Sequence, residues 1–315
     1  MTELPVVVGV DGSESSLTAV DWAVDAAARR GLQLRLVYAS LWERYEGTVQ
    51  AGSPERPSEQ MMAEDIVASA AERARARNPD VKTTTDILPQ EAVDALLREG
   101  DNAFALVTGT RGRGGIKGLL LGSVGLTVAA RAHCPVIVVR GDRAGLAATH
   151  ERVLLGVGDP ATGGDAVRFA VQEAEARGCV LDAVRVWRRP AHRSADHLLL
   201  AGESTHRHEQ QASDLLDTLL DDATAGHRDL RVRRTTVEGP ARKVLVDRSA
   251  AADLVVIGAR RRHHYFGLQL GRVAHTLLHH AHCPVAVVPS RPSTTDGTDG
   301  TDGADVTDGT YGISE

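Results

Sequence analysis

Apolar residues along this chain of 315 residues follow two patterns: short continuous blocks, and longer stretches with one every three or four positions. The block LPVVVGV (4–10) is apolar throughout, as expected of a parallel strand covered on both faces. Further strands are predicted at 32–39, 81–88, 105–109 and 135–139. Helical spacing predicts helices over 15–30, 58–77, 90–99 and 123–133. The first of them places Leu17, Val20, Ala23, Val24 and Ala27 on one face and stops near Gly31. Residues 40–57, with Gly47, Gly52, Pro54 and Pro57, read as irregular. The second half repeats the order, with strands at 152–157, 179–187, 230–237, 254–258 and 284–288 and helices at 163–177, 204–225, 240–250 and 272–281. Strict alternation of strand and helix predicts parallel sheets with helices on both faces, and right-handed crossovers restrict the topology to a doubly wound type.

The repetition extends to individual residues. Ala132-His-Cys-Pro-Val136 recurs as Ala281-His-Cys-Pro-Val285, 149 positions later. At that offset Gly109 falls on Gly258, Gly122 on Gly271 and Val124 on Val273, while VVVGV (6–10) matches VLLGV (153–157) at an offset of 147. A duplication of this extent, in a chain long enough for two domains of about 150 residues, predicts an α/β protein of two tandem Rossmann-like domains, each a five-stranded parallel sheet. Domain boundaries are set at 1–141 and 152–290, with residues 141–151 as the linker. Residues 291–315, a near-repeat of Thr-Asp-Gly without apolar periodicity, are expected to form a disordered acidic tail.

Charge changes the picture once it is divided. The formal net charge is −6, but residues 291–315 hold five Asp and one Glu against one Arg, a net −5, which leaves −1 for the rest. Nothing in that balance predicts a nucleic-acid surface. No apolar run reaches the roughly 18–20 residues of a membrane span, and the N-terminal stretch lacks the basic start of a signal peptide. A cytoplasmic protein is expected. Cys134, Cys179 and Cys283, an odd and sparse set, read as small core residues rather than a disulfide framework.

In a doubly wound sheet, ligands bind beyond the carboxyl ends of the strands, where neighbouring crossovers diverge. Two segments of the first half are placed there. Val8-Gly-Val-Asp-Gly-Ser13 ends the first strand with an acid (Asp11), a flexible residue (Gly12) and a hydroxyl. Gly109-Thr-Arg-Gly112 is followed after nine residues by Gly122-Ser123-Val124 at the start of a helix. Glycines let backbone amides approach an anion closely, and a helix N-terminus offers unpaired N–H groups with partial positive charge. Ser123 is an apt helix N-cap or phosphate contact. The chain contains neither G-x-x-x-x-G-K-[ST] nor, in the first turn, G-x-G-x-x-G. A glycine-rich loop before a helix is by itself also compatible with a mobile connection.

The pattern G-x2-G-x9-G-[ST] between an apolar strand and a helix, preceded by GVDGS and followed by CPVIVV, resembles the universal stress protein family, and the duplication resembles its tandem subclass. The resemblance covers residues 4–140 well and 152–289 more loosely. It implies a fold of the adenine nucleotide alpha-hydrolase-like group and an ATP site in the first half, with or without Mg2+. Asp11 with Gly12 would stand at the adenine or ribose, and Ala39 would meet the base through its backbone. Gly109, Gly112, Gly122, Ser123 and Val124 would hold ribose and phosphates, while Arg111 and Arg113 inside the loop read either as added charge at the nucleotide or as solvated arginines. The resemblance further implies an intrachain pseudo-dimer of the two halves, allows a homodimer, and points to a nucleotide-dependent stress-response regulator. A slow ATPase and a scaffold with a vestigial site are the alternatives. No G-x-S-x-G, H-E-x-x-H or Ser-His-Asp arrangement suggests catalysis.

The second half departs from that pattern. Asp11 aligns with Gly158, with Asp159 adjacent, Gly112 with Arg261 and Ser123 with Arg272. Side chains in those places predict loss of a backbone phosphate cradle; the arginines Arg260–Arg262 and Arg272 read either as a solvated loop or as a side-chain anion site. His275 and His279, spaced i, i+4 with Cys283 one turn on, share a helix face. No further ligand completes a set, and the aligned positions in the first half are Leu126 and Ala130, so no metal site is assigned. His133 and His282 are expected at helix C-termini. Trp42, Tyr45 and Trp187 are expected to pack over the sheet ends, or to cover a bound nucleotide.

Overall fold

The computed structural model describes residues 3–41, 58–110, 121–188, 201–259 and 270–290, with only the backbone of 58, 160–162 and 201–205. The acidic tail, Arg111, Gly112, Arg113, Trp42, Tyr45 and Arg260–Arg262 lie outside the described residues. In the first half, strands β1 (Val6–Gly9), β2 (Leu34–Ala39), β3 (Thr83–Leu88), β4 (Ala105–Gly109) and β5 (Val136–Val139) alternate with helices. The helices are α1 (Glu14–Arg30), α2 (Ser58–Arg77), α3 (Ala92–Gly100) and α4 (Ser123–Arg131). A short helix, α5 (Arg143–Leu146), leads into the second half. There β6 (Arg152–Val157), β7 (Val180–Trp187), β8 (Val232–Glu238), β9 (Leu254–Ala259) and β10 (Val285–Pro289) alternate with α6 (Pro160–Arg177), α7 (Ala201–Thr224), α8 (Ala241–Ser249) and α9 (Arg272–His280).

Each half is a parallel five-stranded sheet, and the two sheets merge. The strand order is β3-β2-β1-β4-β5-β10-β9-β6-β7-β8, reversing about a central seam where β5 and β10 pair antiparallel, Val285 opposite Val138. The sequence predicts two sheets; their fusion into one of ten strands follows because β5 and β10 are both apolar and buried, and each leaves an edge that the other satisfies.

Alternating side chains send the strands' apolar residues to both faces, so two cores run across the seam. One lies under α1, α2, α6 and α7 and contains Leu34, Leu36, Leu181 and Leu216. The other lies under α3, α4, α8 and α9 and contains Leu106, Val138, Leu277 and Val285. All three cysteines are buried. Helix α1 begins at the N-cap Ser13, whose side chain accepts the Ser16 N–H, and ends at Gly31, which takes φ 67°.

Residues 141–151 are not slack chain. Asp142 caps α5 by accepting the Gly145 N–H at 2.9 Å, and its own N–H donates to the His282 carbonyl at 3.0 Å. Gly141, at φ 118°, packs so closely on His282 that a Cβ would collide with that carbonyl. Asp253 then accepts the N–H groups of His150 (2.9 Å) and Arg152 (3.1 Å). The connection is stitched to the second half along its length.

A buried ion network also bridges the halves. Glu173 of α6, 3% exposed, accepts from Arg30 of α1 at 2.7 Å and from Arg177 at 3.1 Å. Arg30 lies over Phe104 at 4.6 Å and Arg177 over Trp22 at 5.4 Å. Arg30 and Arg177 are equivalent in the duplication, whereas Glu173 corresponds to Ala26, so one carboxylate serves two related arginines. Burial pushes the Glu173 carboxyl up, but Arg177 and Arg30 outweigh it and hold it below the usual carboxylate range. Neighbouring Arg29 is brought down to about 10, first by burial and then by Arg177.

Candidate functional site

In the order 3-2-1-4-5 the chain winds outward in one direction from β1 to β2 and in the other from β4 to β5, so the switch point lies between β1 and β4. Asp11 follows β1 and Gly109 ends β4, and both therefore stand at that point.

Asp11 is positioned by its own turn. One carboxylate oxygen accepts the Ser13 N–H at 3.0 Å and the Ser13 hydroxyl at 2.6 Å. Gly12, at φ 76°, allows the chain to fold back for those bonds. The buried Ser16 hydroxyl donates to the Ser13 carbonyl at 2.8 Å, tying the turn to the first turn of α1.

Gly109 sits against the same helix. A Cβ there would lie 2.5 Å from the Ser15 carbonyl oxygen, which explains a glycine at the end of β4. The next residue joins three elements: the Thr110 hydroxyl lies 3.2 Å from that of Ser15, and the Thr110 carbonyl accepts the Gly122 N–H at 2.7 Å. Thus the N-terminus of α1, the end of β4 and the N-terminus of α4 are held around one crevice. Thr110 was not singled out by sequence; its signal is its place between Gly109 and the glycine-rich loop.

Gly122, not Ser123, is the N-cap of α4; no side chain caps this end, and Ser123 is the first helical residue with Val124 behind it. The expected Ser123 cap fails because an N-cap needs non-helical backbone, and the extended conformation here falls one residue earlier, at φ −73° and ψ 153°. Ala39 ends β2, the strand beside β1. Of the residues implied by the resemblance, Asp11, Gly12, Ala39, Gly109, Gly122, Ser123 and Val124 thus come to one end of the sheet, and Arg111 and Gly112 are outside the described residues.

The second half has a crevice at the equivalent place, with a volume of about 780 Å³. The ends of β6, β7 and β9 form its floor, α8 contributes Leu245, and the N-terminus of α9 forms one wall. Its polar lining includes Asp159, Arg185 and Arg272. In the sequence Arg185 reads only as part of a strand. Its guanidinium donates to the Val157 carbonyl at 3.1 Å and to that of Gly158, across the end of β6. The signal available was a basic residue in the largely apolar run CVLDAVRVW, where the first half has Tyr38.

His275 and His279 do share a face of α9, their rings 4.5 Å apart. Burial lowers the His279 pKa first, and His275, His280 and Arg140 add to it. Among the described residues no three His, Cys, Asp or Glu side chains form a metal-binding group. His133 and His282 lie beyond the ends of α4 and α9, not within their last turns, because both helices are capped at the preceding alanine, Ala132 and Ala281. Trp187 ends β7, partly buried. No helix among the described residues is long and apolar enough to cross a membrane.

Comparison with known proteins identifies the architecture. The family model described as "Universal stress protein family" matches twice, over residues 4–140 and 149–289. One universal stress protein of Mycobacterium tuberculosis is 32% identical over 290 residues, covering 90% of this chain and 96% of that one. Another from the same organism is 29% identical over 310 residues, covering 93% and 98%. The crystal structure of a universal stress protein from Archaeoglobus fulgidus shares the fold, with a TM-score of 0.62 over 91% of this chain and 98% of that one at 17% identity. With two family domains in tandem, matched over nine-tenths or more of both chains by these relatives and built as one sheet about a seam, the chain belongs to the universal stress protein family.

Proposed function

We propose that the protein is a nucleotide-dependent stress-response regulator whose first half binds ATP at the crevice between β1 and β4. The observation that carries the reading is the convergence at Thr110, which joins the turn holding Asp11 to the amide-bearing N-terminus of α4. The residues suit the group. Asp11 presents a carboxylate fixed by Ser13, of the kind that accepts hydrogen bonds from sugar hydroxyls or an exocyclic amine. Gly122 caps α4 without a side chain, so the helix terminus is open to phosphate oxygens. By the resemblance, Gly112 and Arg111 would add backbone amides and charge to the site. When bound, ATP gives the protein a second surface to show its partners; the chain's own residues bind and orient it.

The test has two parts. Denaturing the purified protein should release close to one equivalent of adenine nucleotide, or stripped protein should bind ATP in a calorimeter. Asp11→Ala should weaken that binding by roughly tenfold or more, the loss of a charge-assisted hydrogen bond, and Gly112→Arg, which installs the second half's residue, should abolish it. Unchanged ATP affinity in both variants, with the fold intact by circular dichroism, sinks the reading.

A further inference from the structure

The crevice of the second half carries two cationic side chains without cationic counterparts in the first. Arg185 stands where the first half has Tyr38, and Arg272 where it has Ser123. They enter from opposite flanks. Arg185 belongs to β7 and Arg272 opens the helix that follows β9, and β6 lies between those strands. The strands they come from are two spacings apart, about 10 Å, and the Arg185 side chain reaches back over the end of β6 between them.

Each arginine is placed for an anion. The Arg185 guanidinium is anchored across the end of β6 by the carbonyls of Val157 and Gly158, and its Nε is buried with no partner among the described residues. A fixed, planar set of donors in a concave site matches phosphate geometry. Arg272 is exposed at the first position of α9, behind the N-cap Gly271, where no atom lies within 4 Å of a built Cβ. A cation at the positive end of a helix is electrostatically unfavourable, and an anion beside it reverses that balance. Leu245 and Ile257 supply an apolar wall, and about 780 Å³ is the size of a nucleotide site. Among the described lining residues Asp159 is the one carboxylate against Arg185 and Arg272, so their charges sum to a positive value.

We propose that this second crevice selects a nucleotide with phosphate on both sides of its ribose, a nucleoside 3′,5′-bisphosphate. Arg272 engages one phosphate and Arg185 the other. Recognition passes from bare backbone to paired guanidinium groups. The inference goes beyond the reading of the first half and stands or falls independently of it.

The full-length protein carrying Gly112→Arg, the change expected to abolish nucleotide binding in the first half, is titrated calorimetrically with adenosine 3′,5′-bisphosphate and, separately, with 5′-AMP. The bisphosphate should bind with one equivalent and at least about tenfold more tightly than AMP, the scale of one charge-assisted contact. Arg272→Ser, a change at an exposed position, should bring the two affinities within about threefold of each other. Arg185→Tyr should do the same, and Arg185→Lys should retain part of the preference. No bisphosphate binding, equal affinities in the parent, or a preference unaltered by Arg272→Ser overturns the proposal. Loss of ATP binding in the otherwise unaltered chain would instead count only against the first-half reading.

Discussion

The two halves share one fold and differ where the fold is used. At the end of β1 the first half places Asp11, whose carboxylate accepts from the Ser13 hydroxyl, and Ser13, which caps α1. At the end of β6 the second half has Asp159 followed by Pro160 as the first residue of α6, and an arginine from β7 closes over the strand's last carbonyls. Proline at that position costs the helix no hydrogen bond. The strands, the close glycines and the seam survive in both halves: Gly9 and Gly156 each face a leucine, Leu96 and Leu245. Duplication therefore left packing nearly symmetric and let the strand ends diverge, as expected if packing is set by the sheet and chemistry by the loops.

The largest break of this symmetry should come at the seam. Glu173→Ala leaves Arg30 and Arg177 buried without their shared carboxylate, and should cost about 3–5 kcal/mol of stability in urea unfolding. Acid should have a related effect. Because the folded-state pKa of Glu173 is depressed, its stabilisation is present above the ordinary carboxylate value of 4.5 and is lost as pH falls through the lower folded value. The stability gap between the parent and Glu173→Gln should accordingly narrow below about pH 4.5, as unfolding midpoints between neutral and acid pH would reveal. An unchanging gap would mean that the carboxylate is not the group responsible.

Glycine substitutions sharpen the comparison next. Gly109→Ala pushes a methyl group into the Ser15 backbone and should destabilise by about 1–3 kcal/mol. Gly271→Ala, at a helix start with open space around it, should cost less than about 1 kcal/mol. Thermal melts of the two variants give that ranking directly. Ser13→Ala should cost about 1 kcal/mol from loss of the cap, accompanied by weaker ATP binding because Asp11 loses its hydroxyl donor.

Much of the architecture is legible in the sequence because parallel strands covered on both faces must be apolar blocks, and the surrounding helices must carry one apolar face. The helices over 58–77 and the strand over 105–109 fall where periodicity places them. The seam is not legible: VIVV and VAVV look like any buried strand, and which edges meet is decided by tertiary fit. Glu173 is equally hidden, since a glutamate in a helical stretch normally faces solvent. At the candidate site, glycines and Asp11 announce themselves because their backbone and charge requirements are unusual. Arg185 does not, because a strand reading absorbs it, and the role of Thr110 emerges only when three distant segments meet. The capping role assigned to Ser123 belongs to Gly122 because composition cannot fix which residue of a Gly-Ser pair takes extended backbone.

The antiparallel seam also sets a schedule for biosynthesis. Strand β5 is complete once Val139 has been made, but β10, which covers its edge, begins only at Val285. At translation rates of 5–20 residues per second, the intervening chain takes about 7–30 s to emerge. Throughout that interval the nascent first half displays an uncapped apolar ribbon, Val136 to Val139, to ribosome-bound neighbours carrying the same ribbon. Newly made chains thus have a window in which mispairing between copies competes with closure on themselves, and slowed elongation within the second half widens it.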